Sequence, residues 1–136
     1  MKPLALTILI TLITVGPATA KVYNCTFENF SQLGHSQSNQ RAIVISYTGE
    51  KFHLDTKTKL VTRGWANGWA KPNKIQDIQK TGKFTAYVWN HDTTDVKGKT
   101  LSRRFSYRIY KDGSARAHVS VNRANYGTLK ATGNCS

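Results

Sequence analysis

The sequence predicts an all-β protein, a small antiparallel β-barrel or sandwich of about eight strands closed by one disulfide between its two ends. Three observations favour this class. Apolar and polar residues alternate over most of the chain, turn-forming residues separate the alternating segments, and one cysteine lies near each end. Short strands at this spacing are typical of both barrels and sandwiches, and the pattern does not choose between the two.

The first 20 residues are expected to be a cleaved export signal. Lys2 is followed by the apolar stretch PLALTILITLITVG, and ATA at 18–20 has the small-x-small pattern that precedes signal cleavage. The apolar run is shorter than the ~20 residues that a membrane span needs. We therefore expect a secreted or periplasmic protein whose mature part, residues 21–136, is a single β domain.

Cys25 and Cys135 are expected to form a disulfide, because an oxidising compartment favours the pairing of the chain's two cysteines. Cys25 lies in VYNCTFEN, whose alternating Tyr23, Cys25 and Phe27 predict the first strand. Cys135 lies in YGTLKATGNC, which alternates as well and predicts the last strand. The bond would place these two strands side by side and so protect both edges of the sheet.

After the first strand, the composition predicts a loop and then two more strands. SQLGHSQSNQ at 31–40 is polar and rich in small residues, which is typical of a loop. RAIVISY at 41–47 would place apolar residues on both faces of a strand and is predicted to be a central strand. TGE at 48–50 predicts a turn into the short strand KFHLD.

The middle of the chain contains one ambiguous segment. NKIQDIQK fits a strand, but Ile75 and Ile78 have helical spacing and also fit a short helical turn. KFTAYVW at 83–89 predicts a strand, and the polar NHDTTDVKGKT at 90–100 predicts a loop.

LSRRFSYRIY and SARAHVSV predict a hairpin whose register the alternation determines. A two-residue loop would set Ile109 opposite Arg116 and mix the two faces, whereas a three-residue loop ending at Gly113 sets Ile109 opposite Ala115. Glycine also suits the left-handed position that the longer loop requires. We therefore predict the three-residue loop.

The polar face of this hairpin is a candidate anion-binding site. The predicted register sets Arg108 opposite Arg116, Ser106 opposite His118, and Arg104 opposite Ser120. Like charges directly opposed destabilise a sheet unless something relieves them. A bound anion is one interpretation, and a solvated basic face whose long side chains splay apart is the other. The candidate residues are Arg104, Arg108, Arg116 and His118.

GWANGWA at 64–70 forms the other candidate site. Two tryptophans four positions apart share a face of a strand, and residues 59–71 separate into one face of small residues and one that is aromatic and basic. Facing inward, this second face would fill the core or line a ligand cavity, and facing outward it would form a basic-aromatic stripe. Its candidate ligand-binding residues are Arg63, Trp65, Asn67 and Trp69.

The charge balance favours an anionic partner. The chain has 20 Lys and Arg against 7 Asp and Glu, a net charge of +13. We expect an exported, non-enzymatic protein that binds a small acid, a lipid head group or an acidic polymer, without a cofactor or metal. Contact with a membrane surface stays open, and nucleic acid is a less favoured partner.

Two alternatives belong to other classes of protein. One is a secreted inhibitor or effector that docks on an acidic protein. The other is a small basic nuclease, in which His53 with Asp55, or His118 among arginines, would act. His and Asp lie close together in HLD at 53–55 and in NHDTTD at 90–95, but neither segment matches a zinc or calcium spacing. The chain contains no catalytic motif with a known mechanism.

Overall fold

The structure is a computed structural model that describes residues 20–32, 40–122 and 127–136. The predicted export signal, except for Ala20, and most of the predicted loop at 31–40 lie outside the described residues. In the described ranges, no helix has the length and apolar character needed to cross a membrane.

The described residues form one helix and ten strands. In chain order these are β1 (Val22–Gln32), α1 (Gln40–Thr48), β2 (Lys51–Asp55), β3 (Leu60–Trp65), β4 (Gly68–Trp69), β5 (Asn73–Lys74), β6 (Asp77–Lys80), β7 (Phe84–Thr94), β8 (Thr100–Tyr110), β9 (Ser114–Val121) and β10 (Thr128–Cys135). The predicted all-β class is confirmed, because antiparallel strands make up most of the described residues.

All ten strands belong to one antiparallel sheet. Its hydrogen-bonded order is β4-β3-β2-β1-β10-β9-β8-β7-β6, an open series rather than a closed ring, and β5 pairs with β3. The consecutive strands β5 and β6 thus pair with opposite ends of the series, β5 with β3 and β6 with β7. The helix α1 packs mainly against β1 and β10, with fewer contacts to β9.

The predicted disulfide is confirmed. Cys25 and Cys135 lie directly opposite each other on β1 and β10, and their sulfur atoms are bonded. The first and last strands are therefore neighbours, as the positions of the cysteines predict. Bonding residues 110 positions apart ties the two ends of the described fold together.

The core lies on one side of the sheet, which we call the inner face, and the opposite side is the outer face. Alternate residues of β8 and β9 are buried on the inner face, where Trp89 stacks on Phe105 with ring centroids 4.9 Å apart. Other rings meet this pair edge to face or at a tilt, which aromatic rings favour over face-to-face contact. The central aromatic cluster contains Phe27, Phe52, Trp89, Phe105 and Tyr107.

The prediction of a strand at 41–47 is wrong, because these residues lie in α1. The helix buries Val44 and Thr48, which are one turn apart, so tertiary packing outweighs the strand preference of the β-branched residues. Gly49 follows the helix with φ 77°, and its N–H donates to Ile45 O at 2.9 Å, a left-handed C-terminal cap. In the sequence, Gly49 indicates the C-terminal end of a helix, and the prediction overlooked this signal.

Two other segments differ from or refine the predictions. The predicted loop at 90–100 is mostly strand, because β7 and β8 pair residue by residue out to Thr94 and Thr100. The tip is a short turn in which the Asp95 carboxylate accepts from Lys97 N at 2.9 Å. The polar residues of this arm are largely exposed on both sides, so no apolar alternation marks it.

The ambiguous NKIQDIQK contains β5 and β6 rather than a helical turn.

Candidate anion-binding site

The GWANGWA segment does not form the single strand that the sequence predicts. β3 ends at Trp65, the chain turns at Asn67, and β4 returns antiparallel with Trp65 opposite Gly68 and Trp69 opposite Gly64. Directly opposed residues point to the same face, and neighbours along a strand point to opposite faces. Trp65 and Trp69 therefore lie on opposite faces of the sheet. The Asn-Gly dipeptide is a turn signal that reveals this hairpin in the sequence.

Arg63 and Trp65 point inward and bind the end of α1. The Trp65 indole N–H donates to Ile45 O at 2.7 Å, and Arg63 Nη1 donates to Tyr47 O at 2.5 Å. Carbonyls in the last turn of a helix lack intrahelical partners and carry partial negative charge, so a guanidinium there is favourable. Only 8% of Arg63 is exposed, and burial lowers its pKa from the ordinary value.

Tyr107 also binds the end of α1. It is fully buried, and its hydroxyl donates to Thr48 O. Burial raises the pKa of this phenol, which keeps it a donor at neutral pH. The cation of Arg63 lies 4.6 Å from the centroid of the Phe105 ring, next to the same tyrosine. Arg63 and Trp65 thus have a structural role that explains their burial without a ligand.

The other two residues of this candidate site lie elsewhere. Asn67 is exposed in the turn, and Trp69 is 54% exposed on the outer face. Lys51 Nζ lies 4.7 Å from the Trp69 ring centroid, and the ring covers Gly64, where a Cβ would lie 2.7 Å from ring carbons. The structure therefore does not bring the four predicted residues together at one site.

The hairpin register at the second candidate site is confirmed. Ile109 lies opposite Ala115, as the three-residue loop requires, and Gly113 has φ 88°. Arg108 lies opposite Arg116, and His118 lies opposite Ser106. The structure places the four predicted residues of this site together on the outer face of β8 and β9: Arg104, Arg108, Arg116 and His118.

Each of the two opposed arginines lies against an aromatic ring. Arg108 Cζ lies 4.8 Å from the Phe84 centroid, and Arg116 Cζ lies 5.0 Å from the Tyr110 centroid. The two rings contact each other at 5.1 Å, so the four side chains form one continuous series, which we call the outer stack. Cation–π contact holds each guanidinium in place. We did not predict the rings, although both have the same even parity as the arginines.

The cross-strand neighbours of the outer-face cations carry no carboxylate. Arg104 lies between Asn90 and Ser120, while Arg108 has Ala86 on its other side and Arg116 has Thr132. A fourth cation, Lys130, lies opposite His118 on β10 and was missing from the predicted site. This surface therefore concentrates positive charge on three adjacent strands.

The imidazole of His118 on this surface is uncharged at physiological pH. Burial, together with the nearby positive charges of Arg108, Lys130 and Arg116, lowers its pKa to about 4. A neutral imidazole leaves one ring nitrogen as an acceptor and the other as a donor.

The residues of the nuclease alternative have other partners. His53 Nδ1 lies 2.7 Å from Asn24 Oδ1, and the Asp55 carboxylate accepts from Lys57 N at 2.9 Å and Thr58 N at 3.2 Å. Those backbone N–H groups, that of Thr58 foremost, lower the pKa of Asp55. Among the described residues, no three His, Cys, Asp or Glu side chains are grouped as metal ligands.

Over the described ranges, the protein is an antiparallel β structure with one helix packed on its sheet and an arginine-rich outer face. Comparison of the chain with protein-family models, with curated proteins and with solved structures finds no match. Its function is therefore inferred from the geometry and charge of its own residues.

Proposed function

We propose that the protein is an exported, non-enzymatic binding protein for an anionic ligand, and that the outer stack with Arg104 and Lys130 forms its binding face. The observation that supports this most strongly is the pair of guanidiniums held against Phe84 and Tyr110, with no carboxylate among their cross-strand neighbours. The carboxylate of Asp112, in the adjoining turn, attracts only Arg116 of this pair. A stacked guanidinium can still bind an oxyanion in bidentate geometry through its terminal N–H groups, which matters for Arg108 because its Nε is buried. Holding it in place before binding lowers the entropic cost of association.

The arrangement of the cations favours an extended anion over a small acid. Arg104 and Arg108 are four residues apart on β8, about 13 Å at ~3.3 Å per residue, and further cations lie on the two adjacent strands. A small acid would need cations that converge on one point. An acidic polymer instead meets several of them at once, and the net charge of +13 would speed its approach.

The disulfide is typical of a non-reducing environment. We place the protein more narrowly, as secreted or periplasmic after cleavage behind Ala20. Intact mass measurement of the exported protein should give the mass of residues 21–136 less two hydrogens. A mass that retains the first 20 residues, or two titratable thiols, would contradict this location.

Polyanion binding tests the proposed face. Inorganic polyphosphate should bind at low salt and weaken as salt rises, because its binding releases counterions. Arg108→Gln/Arg116→Gln should weaken binding about tenfold, since two charge-assisted contacts are lost. The matched control Lys57→Gln/Lys97→Gln removes the same charge from exposed turns and should weaken binding less than about threefold. Equal losses in the two double variants would show that only net charge matters.

The absence of catalysis is part of the same proposal. Incubation with RNA and DNA between pH 4 and 8 should leave both intact. Cleavage that is lost in His53→Gln or His118→Gln would instead support the nuclease alternative.

A further inference from the structure

A groove of about 490 Å³ opens beside the outer stack, where β1 begins and β8 and β10 end. This volume is within the ~300–1,000 Å³ range of ligand pockets in proteins. Phe84 and Tyr110 belong both to the groove wall and to the outer stack, so the groove meets the outer stack at this end of the sheet, whereas Tyr23 and Tyr87 line it from the inner face. The groove was not predicted from the sequence, because its wall comes from segments far apart in the chain.

The wall combines rings, hydroxyls and cations. Tyr23 and Tyr87 add two further rings, and the exposed Lys21 and Lys111 supply ammonium groups. Within the part of the chain that the structure describes, the hydroxyls of Tyr23, Tyr87 and Tyr110 form no hydrogen bond. Tyr87 is only 6% exposed, but its hydroxyl oxygen reaches the groove surface, so the three hydroxyls can act toward a ligand as donors and as acceptors.

This combination matches a sugar that carries an acidic group. The C–H face of a pyranose ring packs on an aromatic side chain, its hydroxyls exchange hydrogen bonds with tyrosine hydroxyls, and its carboxylate or sulfate pairs with an ammonium group. A fatty chain would leave the tyrosine hydroxyls unsatisfied.

We propose that the groove is a sugar-binding subsite and that the anionic ligand is an acidic glycan. One saccharide unit occupies the groove between Tyr23, Tyr87 and Lys111, and neighbouring acidic units lie along Arg108 and Arg116. This inference rests on the proposed function, because it names the class of anion that the outer stack binds.

The test compares a sugar-based polyanion with one that contains no sugar. The probes are oligogalacturonate of six units and inorganic polyphosphate of similar charge, with binding measured by calorimetry. Tyr23→Phe/Tyr87→Phe keeps both rings and removes only the hydroxyls. It should weaken oligogalacturonate binding about tenfold, the effect of two lost hydrogen bonds, and leave polyphosphate binding unchanged. Lys111→Gln, in an exposed turn where folding is insensitive, should weaken oligogalacturonate binding about threefold or more.

The outcomes distinguish a failure of the proposed anion binding from a failure of the sugar-binding subsite. If neither probe binds at low salt, the proposed function fails. If both probes bind and both lose affinity in Arg108→Gln/Arg116→Gln, but the tyrosine variant and Lys111→Gln bind oligogalacturonate like the unmodified protein, only the sugar subsite is wrong. A single-stranded DNA oligomer of equal charge that binds more tightly than oligogalacturonate, with loss of affinity in the tyrosine variant, would assign the groove to nucleic acid and overturn the glycan proposal. A thermal melt of each variant shows whether it is folded.

Discussion

Trp65 and Trp69 are four residues apart and face opposite sides of the sheet. Trp65 donates its indole N–H to Ile45 O, whereas Trp69 lies on the outer face beneath Lys51 and is 54% exposed. The turn at Asn67 causes this difference, because it reverses the chain between the two rings. Two residues that look equivalent in the sequence therefore have unequal structural importance.

The first prediction is that the two tryptophans differ in their effect on stability. Trp65→Phe leaves the Ile45 carbonyl without the indole donor and should lower the free energy of unfolding by about 1–3 kcal/mol. Trp69→Phe changes an exposed ring and should lower it by less than about 0.5 kcal/mol. Urea unfolding measures both values. A larger loss for Trp69 than for Trp65 would mean that the hairpin is assigned to the wrong faces.

A second prediction concerns the phenol at the helix end. Tyr107→Phe removes the donor to Thr48 O and should cost about 1–3 kcal/mol of unfolding free energy, since a buried carbonyl loses its partner. Tyr110→Phe is the matched control, because its hydroxyl has no hydrogen-bond partner among the described residues, and it should cost less than about 0.5 kcal/mol. Equal urea midpoints for the two variants would contradict the role of Tyr107.

Gly133 provides a third prediction. It lies opposite a bulge in β1, and a Cβ there would lie 1.8 Å from Thr26 O and 2.7 Å from Phe27 Cα. These are backbone atoms, so Gly133→Ala requires the two strands to separate and should destabilise by about 1–3 kcal/mol or more. Gly82→Ala, where nothing lies within 4 Å of the new methyl, should be close to neutral by thermal unfolding. A neutral Gly133→Ala would show that β1 and β10 are less closely paired there.

The fourth prediction is a pH dependence set by His118. The folded protein holds the pKa of His118 at about 4, below the value of about 6.5 in an unfolded chain. Between pH 6.5 and 4 the unfolded chain therefore binds the extra proton, and the free energy of unfolding falls as the pH falls. His118→Gln should reduce this decline, as measured by urea unfolding from pH 7 to 4.5.

His91 contributes to the same pH dependence. Burial also lowers the pKa of His91, with Arg103 acting in the same direction, so part of the decline should remain in His118→Gln. The remainder should shrink further in His91→Gln/His118→Gln. An NMR titration in which the His118 ring protonates near pH 6.5 in the folded protein would contradict the prediction directly.

Where a segment buries one face, its register could be read from the sequence. The opposition of Ile109 to Ala115 and of Arg108 to Arg116 was predicted correctly, because a slip of one residue would expose every buried side chain of the hairpin. The arm beyond Asn90 was missed for the converse reason. Its residues are mostly exposed on both faces, so no alternation records the strand.

The two candidate sites likewise differ in how far the sequence predicts their arrangement. The shared face of Arg104, Arg108 and Arg116 follows from parity along one hairpin, so the sequence places these residues together. Arg63 and Trp65 could not be assigned, since their partners are the backbone carbonyls of Tyr47 and Ile45 in another element. A hydrogen bond to a backbone carbonyl cannot be predicted from the pattern of side chains, because every residue has a carbonyl group.

By itself, the sequence determined the antiparallel class, the bond between Cys25 and Cys135, the main hairpin and the excess of positive charge. These follow from local periodicity, pairing chemistry and composition. Only the tertiary structure decided that residues 41–47 form a helix and that an aromatic ring lies against each of the opposed arginines. The physical reason is that these outcomes depend on contacts between distant elements, whose energies outweigh the local preferences of the residues involved.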